Sequence, residues 1–344
     1  MHFLTRIVFL TFLPVLLSCG ETLVGSDPAN TPQNNFQILW DEFDRYYALF
    51  EAKNVDWNAL YDIYAPQVTD QTNDRELFDI LSAMLTHLND VHVQLITPFE
   101  RFNSSYANYP NGKPAGTLNL SLVKRKYLRS DYQTTGNGVF TSGQISDTIG
   151  YVHIETFGSD TYQAWVEAID PIVNEFVDHR GFIVDIRNNS GGHVFNVEAI
   201  AGRFADQERL YALSQRRNGP RHSDFAPIHE RYVEPVGNKQ FNKPIIVLTD
   251  RGTISGAEYF VLAMKQFPYV RVVGDFTLGG LSHPLYRTLP NGWTYIISIE
   301  KTFSADHVLY EGVGIPPDIH VAISPDDIAM EKDPVIEMAI QLLE

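Results

Sequence analysis

Cysteine and basic residues are scarce in this chain of 344 residues. Cys19 is the only cysteine, so no disulfide can form within the chain. The 26 lysines and arginines are outnumbered by 42 aspartates and glutamates, which gives a formal net charge of −16. This excess of negative charge disfavours nucleic acid and anionic membrane surfaces as partners. The sequence also lacks a repeat of fixed period and a low-complexity tract, which disfavours solenoids and propellers.

Several familiar site patterns are missing as well. The sequence has no His-Glu-x-x-His motif and no cysteine cluster, so we predict no metal centre and assign no cofactor. It has no Gly-x-Ser-x-Gly motif either, which disfavours an esterase of the α/β-hydrolase type. The apolar run from Ile7 to Leu17 is too short to cross a bilayer as a stable helix.

That short run is typical of a secretory signal peptide, which we predict over residues 1–18. The segment Leu-Leu-Ser-Cys-Gly at 16–20 resembles a bacterial lipobox, and this resemblance implies cleavage before Cys19 and lipidation of its thiol. An ordinary signal peptide with an incidental cysteine is the alternative. We therefore expect a lipoprotein of the bacterial cell envelope, on the periplasmic side of the outer membrane or at the surface, with residues 19–35 as a flexible tether.

The mature chain divides by pattern into three parts. Residues 36–97 carry helical apolar spacing and predict a small helical domain. Residues 98–147 form a linking segment, in which polar–apolar alternation over 117–123 and again near Val139 predicts short strands. Residues 148–344 form the third part.

Helix starts are marked locally. Asp56 is placed to cap a short helix, and Asn73 with Glu76 forms a capping-box pattern ahead of the next one. Near the carboxyl end, Asp333 followed by Pro334 predicts the start of a last helix.

From residue 148 onward, strands and helices alternate. A Pro-Asn-Gly turn at 290–292 predicts a hairpin. We predict strands at 149–154, 181–186, 245–249 and 270–273, and helices at 165–177, 195–204 and 255–266. This alternation predicts an α/β fold with a mixed open sheet flanked by helices.

Ser255 is the best nucleophile candidate, because it lies where a buried strand gives way to a helix. Unpaired N–H groups and the positive end of the helix dipole meet at this position, and both would stabilise a serine oxygen or an oxyanion. The alternative is that Ser255 is only an N-cap, a role for which serine is preferred.

Other segments could complete a site around this serine. Gly191 and Gly192 follow a buried strand, and their N–H groups could join that of Gly256 in an oxyanion hole, although most such glycine pairs are turns. His92 could serve as the general base and Glu311 could orient it. Equally, His92 could be a structural histidine and Glu311 an ordinary loop carboxylate.

Six motifs, in this order, resemble the C-terminal processing (tail-specific) serine peptidases, with the tricorn core protease branch the closer one. They are Leu-Asn-Asp-Val-His-Val at 88–93, Asp-x-Arg-x-Asn-x-Gly-Gly at 185–192, Ser-Gly-Ala-Glu at 255–258, Gly-Asp-Phe-Thr-Leu-Gly at 274–279, Leu-Pro-Asn-Gly at 289–292 and Glu-Gly-Val-Gly-Ile-Pro-Pro-Asp at 311–318. The resemblance implies a ClpP/crotonase-like peptidase core and hydrolysis of peptide bonds. The PDZ module usual in the family has no room between His92 and residue 149.

Carried over by motif, Ser255 matches the family nucleophile and Gly256 the oxyanion donor next to it. The processing-peptidase branch has a lysine base where this chain has Gly280, so a Ser–Lys dyad would need a substitute such as Lys301. The tricorn branch has a histidine at the position of His92, but a serine where this chain has Val91. The resemblance thus favours Ser255, His92 and Glu311 as the catalytic residues.

These observations lead to two functional hypotheses. The first is a lipid-anchored serine peptidase that cleaves a peptide or protein substrate through an acyl-enzyme on Ser255. The second is a catalytically inactive homologue that binds an apolar ligand or peptide, as the resemblance to domains of the interphotoreceptor retinoid-binding protein implies.

Overall fold

A computed structural model describes residues 28–106, 116–158 and 162–344. The predicted signal peptide and Cys19 lie outside the described residues. The first helix begins at Pro32, before the end of the predicted tether, because Thr31 caps it by accepting the N–H of Asn34 and proline suits the first helical position. Within these three ranges, none of the helices combines the length and apolar character needed to span a membrane.

The chain alternates helices and strands after a helical beginning. The helices are α1 Pro32–Tyr46, α2 Phe50–Lys53, α3 Trp57–Tyr64, α4 Asp74–Thr86, α5 Leu120–Leu122, α6 Tyr162–Phe176, α7 Val194–Ala201, α8 Gly256–Met264, α9 Pro325–Ala329 and α10 Pro334–Leu343. The strands are β1 Gln94–Ile96, β2 Arg101–Asn103, β3 Gln133–Thr135, β4 Phe140–Ser146, β5 Ile149–Ile154, β6 Gly181–Asp185, β7 Arg209–Arg216, β8 His229–Val233, β9 Ile245–Thr249, β10 Val270–Gly274, β11 Pro284–Thr288, β12 Thr294–Ser298, β13 Glu300–Ser304 and β14 Ile319–His320.

A seven-stranded sheet in the order β14-β10-β9-β6-β5-β4-β3 forms the centre of the fold. The strands from β14 to β5 are parallel, and β4 and β3 are antiparallel, which confirms the predicted mixed open sheet. Every residue of β6 and β9 is buried, as apolar strands covered on both faces must be. Because β6 and β9 are parallel neighbours, the turns at their carboxyl ends lie side by side, where sites form in such sheets.

Two smaller antiparallel sheets accompany this one, in the orders β11-β12-β1-β2 and β13-β7-β8. The predicted hairpin is confirmed: it joins β11 to β12, and Gly292 takes a positive φ of 85° in the turn. Trp293 and Tyr295 of this hairpin are buried in the same apolar cluster as Phe43 and Trp57 of the N-terminal helices. The division of the chain after residues 97 and 147 stays a prediction.

The predicted helix caps are confirmed. Asp56 accepts the N–H of Ala59 at 3.1 Å. Asn73 and Glu76 exchange two backbone-to-side-chain bonds of 3.0 Å each, and Asp333 accepts the N–H groups at the start of α10. These signals are local, since each needs only residues within one turn.

The strand predicted over residues 117–123 is wrong. Asn119 accepts the N–H of Leu122 at 3.0 Å and starts the single turn α5, which continues as a π-helix over Val123–Tyr127. A side-chain cap of this kind offers the backbone a helical alternative to a ladder, and a short alternation does not reveal it. The strand predicted near Val139 is confirmed as β4.

Candidate active site

Ser255 occupies a strained turn between β9 and α8, with φ 58° and ψ −120°. A residue with a Cβ rarely adopts this conformation, and such strain concentrates at functional sites. The N–H of Glu258 donates to the backbone carbonyl of Ser255 at 2.8 Å, and the two residues have the arrangement of a capping box. A strained strand-to-helix turn also exposes the nucleophile of α/β-hydrolases, although their sequence motif is absent here.

Glu258 holds this turn in place. Its buried carboxylate accepts four hydrogen bonds: from the N–H of Ser255 at 2.9 Å, the hydroxyl of Thr277 at 2.6 Å, and the N–H groups of Gly279 and Gly280 at 2.8 and 2.7 Å. Burial raises the pKa of Glu258, while the four donors act in the opposite direction. The carboxyl group therefore ties the nucleophile turn to the loop at 277–280.

Gly191, Gly192 and Gly256 lie against one another beside the serine. A Cβ built on Gly191 would be 2.6 Å from the amide nitrogen of Gly256 and 2.9 Å from the Cβ of Ser255. The N–H of Gly191 donates to Asn189 Oδ1 at 2.9 Å and is therefore occupied. Among the described residues, the N–H groups of Gly192 and Gly256 have no acceptor. The geometry thus favours Gly192 with Gly256 as the pair of oxyanion donors, with Gly191 as support.

We expect Gly192→Ala to move its N–H out of position and so to lower kcat by roughly 10²-fold or more, the usual cost of losing one oxyanion donor. Gly192 has φ 144°, and its Cβ would lie 2.0 Å from the carbonyl carbon of Phe157. The matched control is Gly292→Ala, because Gly292 has φ 85° but no atom within 4 Å of its Cβ position. Steady-state kinetics on both variants checks the prediction. Equal losses of kcat in the two variants would mean that backbone strain alone explains the effect and would contradict the role of Gly192 in the oxyanion hole.

Asn189 and Asp250 shape the two turns that carry these groups. Asn189 donates to the carbonyl of Ile154 at 2.9 Å and accepts the N–H of Ile254 on its own carbonyl at 3.0 Å. The buried carboxylate of Asp250 accepts the N–H groups of Asn188 and Gly252, both at 2.9 Å. The loop after β6 and the loop after β9 are therefore joined directly.

Two other members of the 185–192 motif are structural. Arg187 is fully buried and pairs with Asp185 at 2.7 Å and with Asp333 at 2.9 Å. This ion triad links the end of β6 to the start of α10. Removing one member would leave an uncompensated buried charge, so the triad fixes the position of the adjoining loop.

His92 lies in the turn between α4 and β1. Its N–H donates to Asp90 Oδ1 at 2.9 Å. Burial lowers the pKa of His92, Asp90 acts against this shift and His283 adds to it, so the ring is neutral near pH 7, as a general base must be. The ring atom Cε1 and Ile254 Cγ2 both lie within 3.7 Å of the Cβ position of Gly280, which places the ring beside the nucleophile turn.

Glu311 holds the residues that follow Gly280. Its Oε2 accepts the N–H groups of Leu281 and Ser282 at 2.8 and 3.0 Å. Burial raises the pKa of Glu311 well above its ordinary value, with Asp90 as the next cause. Among the described residues, Glu311 Oε1 and His92 Nδ1 are buried without a hydrogen-bond partner, and no hydrogen bond joins His92 to Ser255 or to Glu311.

Gly280 explains why a lysine base does not fit this chain. A Cβ on Gly280 would lie 2.3 Å from Val91 Cγ1, so Val91 fills the space in which a side chain at position 280 would begin. The two departures from the family pattern are thus complementary in packing. The proposed substitute, Lys301, points elsewhere: its Nζ is 3.3 Å from Glu51 Oε2 and 4.3 Å from the centre of the Phe225 ring.

Sequence reasoning missed three residues of the site: Glu258, Asp90 and Tyr47. Glu258 carries a readable signal, the Ser-x-x-Glu spacing of a capping box. Asp90 accepts a hydrogen bond from the Tyr47 hydroxyl at 3.1 Å and another from the N–H of His92. Tyr47 belongs to a distant turn, and no spacing in the sequence indicates that pairing.

Comparisons with known proteins identify the family of this chain. A sequence profile described as Peptidase family S41 matches residues 148–321, about half of the chain, and one described as Tricorn protease C1 domain matches residues 28–86. The crystal structure of a protein from Parabacteroides merdae ATCC 43184 has 35% sequence identity and a TM-score of 0.82, over 92% of this chain and 97% of that one.

Curated relatives are similar over shorter parts. Carboxy-terminal processing protease CtpB of Bacillus subtilis is 27% identical over 183 residues, which cover 48% of this chain and 36% of that protein. A tricorn protease homolog of Saccharolobus solfataricus is 27% identical over 228 residues, which cover 64% of this chain and 19% of that protein. On the strength of the profile match and the similar crystal structure, this chain belongs to peptidase family S41.

Proposed function

We propose that the protein is a serine peptidase that cleaves peptide bonds through an acyl-enzyme on Ser255. One observation carries the proposal: the strained serine lies against two amide groups, those of Gly192 and Gly256, that have no acceptor among the described residues. An N–H pair of this kind fits the negative oxygen of a tetrahedral intermediate, and such stabilisation often contributes more to the rate of acyl transfer than any other catalytic effect.

In the proposed reaction, neutral His92 takes the proton of the Ser255 hydroxyl as the oxygen attacks the peptide carbonyl. The two glycine amides bind the oxyanion, and protonated His92 then gives its proton to the leaving amine. Water then attacks the acyl-enzyme: His92 takes a proton from the water and returns it to the Ser255 oxygen as the acid product leaves. Asp90 accepts the N–H of His92 and so holds the turn that carries the ring, and Glu311 holds the loop at 281–282.

Fluorophosphonate labelling tests this proposal. We expect the folded protein to react and the adduct to map to Ser255 by mass spectrometry of its peptides. Failure of the folded protein to react, together with saturable binding of an apolar ligand, would instead support the inactive binding homologue.

We further propose that the mature protein begins at a lipidated Cys19 and is held at the cell envelope by that lipid. The support is the sequence around residues 16–20, which resembles a lipobox. Labelled palmitate should enter the wild-type protein and should be absent from Cys19→Ala. Equal incorporation into both proteins, or none into either, would contradict the anchor.

A further inference from the structure

A cavity of about 270 Å³ opens on one face of the β13-β7-β8 sheet. Arg216, His229, Arg231 and Glu300 supply its charged and titratable lining. The register places Arg216 opposite Glu300, and alternation along β8 places His229 and Arg231 on one face. Three strands therefore contribute charged or titratable groups to a single concave surface.

This cavity adjoins the proposed active site. The Arg231 guanidinium lies 5.8 Å from the ring centre of Tyr259, which is one helical turn beyond Ser255 on α8. The N–H of Glu300 donates to Ser282 Oγ at 3.3 Å, and the N–H of Ser282 donates to Glu311. Glu300 of the cavity lining is thus connected through Ser282 to Glu311 of the proposed site.

The cavity lining holds more positive than negative charge, with two arginines and one glutamate. Arg216 approaches Glu300 at 3.6 Å. Arg231, by contrast, has no carboxylate within 4.0 Å among the described residues, and its Nε is buried without a hydrogen-bond partner. A guanidinium that no carboxylate neutralises suits an anion from outside. The local excess of positive charge stands out in a chain of net charge −16.

We propose that Arg231, with Arg216, binds a carboxylate of the peptide substrate in this cavity. The inference rests on the proposed peptidase function and adds a substrate class to it. A guanidinium binds a carboxylate through paired N–H groups, which gives the contact direction as well as strength. The carboxylate belongs either to the free C-terminus of the peptide or to an Asp or Glu side chain.

The position of the cavity limits where the carboxylate lies in the substrate. One helical turn, a rise of about 5.4 Å, separates the backbones of Tyr259 and Ser255. The Tyr259 side chain and the 5.8 Å from its ring to the Arg231 guanidinium add to this distance. An extended peptide advances about 3.3 Å per residue. The carboxylate would therefore lie several residues at most from the scissile bond.

Two pairs of peptides test the inference on the purified protein. One pair differs only in a free or amidated C-terminus, and the other, with amidated ends, differs in a single Glu or Gln near the cleavage point. For the acidic peptide that wild type prefers over its neutral partner, we expect Arg231→Gln to lower kcat/KM at least tenfold, mainly through KM. Arg231→Lys should lose less. The Arg231 variants should cleave the neutral peptide of the pair with unchanged kcat/KM. The control Arg125→Gln, which removes a surface arginine paired with Glu331, should cleave both peptides as wild type does.

A second variant guards against misfolding of the first. Glu300→Gln removes the carboxylate that competes for Arg216, so it should strengthen binding of the acidic peptide, a gain that damaged protein would not show. Labelling of Ser255 by a neutral fluorophosphonate should be the same in all variants. If wild type labels and cleaves but treats acidic and neutral peptides alike, the inference fails and the peptidase proposal stands. If wild type neither labels nor cleaves, the peptidase proposal fails first.

Discussion

Replacing Ser255 with alanine is expected to lower kcat for peptide hydrolysis by roughly 10⁵-fold or more, the scale seen when a serine peptidase loses its nucleophile. The reason is chemical: the alanine offers no oxygen to form the acyl-enzyme, while the Gly192 and Gly256 amides remain. Steady-state kinetics with a peptide substrate measures the loss.

A matched pair at this position separates catalysis from stability. Alanine keeps the strain of φ 58° and ψ −120°, whereas glycine relieves it. Ser255→Gly should therefore exceed Ser255→Ala in free energy of unfolding by about 1 kcal/mol, at the low end of the cost of such backbone strain. Both variants should be inactive. Retention of wild-type kcat in either one would remove Ser255 from the mechanism.

Replacing His92 with glutamine should lower kcat by roughly 10⁴-fold to 10⁶-fold, because the Ser255 hydroxyl would lose its base. Glutamine roughly keeps the volume of the ring but cannot accept and return the proton. The comparison variant is His87→Gln, at the end of α4, where the ring forms a hydrogen bond of 3.0 Å with the Tyr64 hydroxyl. Kinetics on the two variants should differ by several orders of magnitude. Near-equal activities would leave the base unidentified.

Local features of the fold could be predicted from the sequence, and so could the place of Ser255. A capped helix start or a Pro-Asn-Gly hairpin depends on a few neighbouring residues, and the buried strand before Ser255 is an apolar run. Strands β7 and β8 were not predicted. They pair at a register shift between Leu210 and Ala212, and no simple alternation in the sequence indicates them.

The details of the site depend on contacts between distant segments. The choice of Gly192 over Gly191 follows from the Asn189 side chain, which takes the Gly191 N–H. The fit of Val91 against Gly280 joins two motifs that are far apart in the chain. Spacing within a motif gives the residue types, but the partner of each group is fixed only when the sheet brings the loops together.

The pH dependence of Ser255 inactivation by a fluorophosphonate tests the central claim, that His92 activates Ser255. His92 acts only when neutral, and burial lowers its pKa below the ordinary value of about 6.5. The inactivation rate of wild type should therefore be level near pH 7 and fall as a single ionisation below about pH 6.5, whereas His92→Gln should react slowly with no such fall. A rate that rises only in the alkaline range, as a lysine base would require, and does so equally in both proteins, would contradict the account.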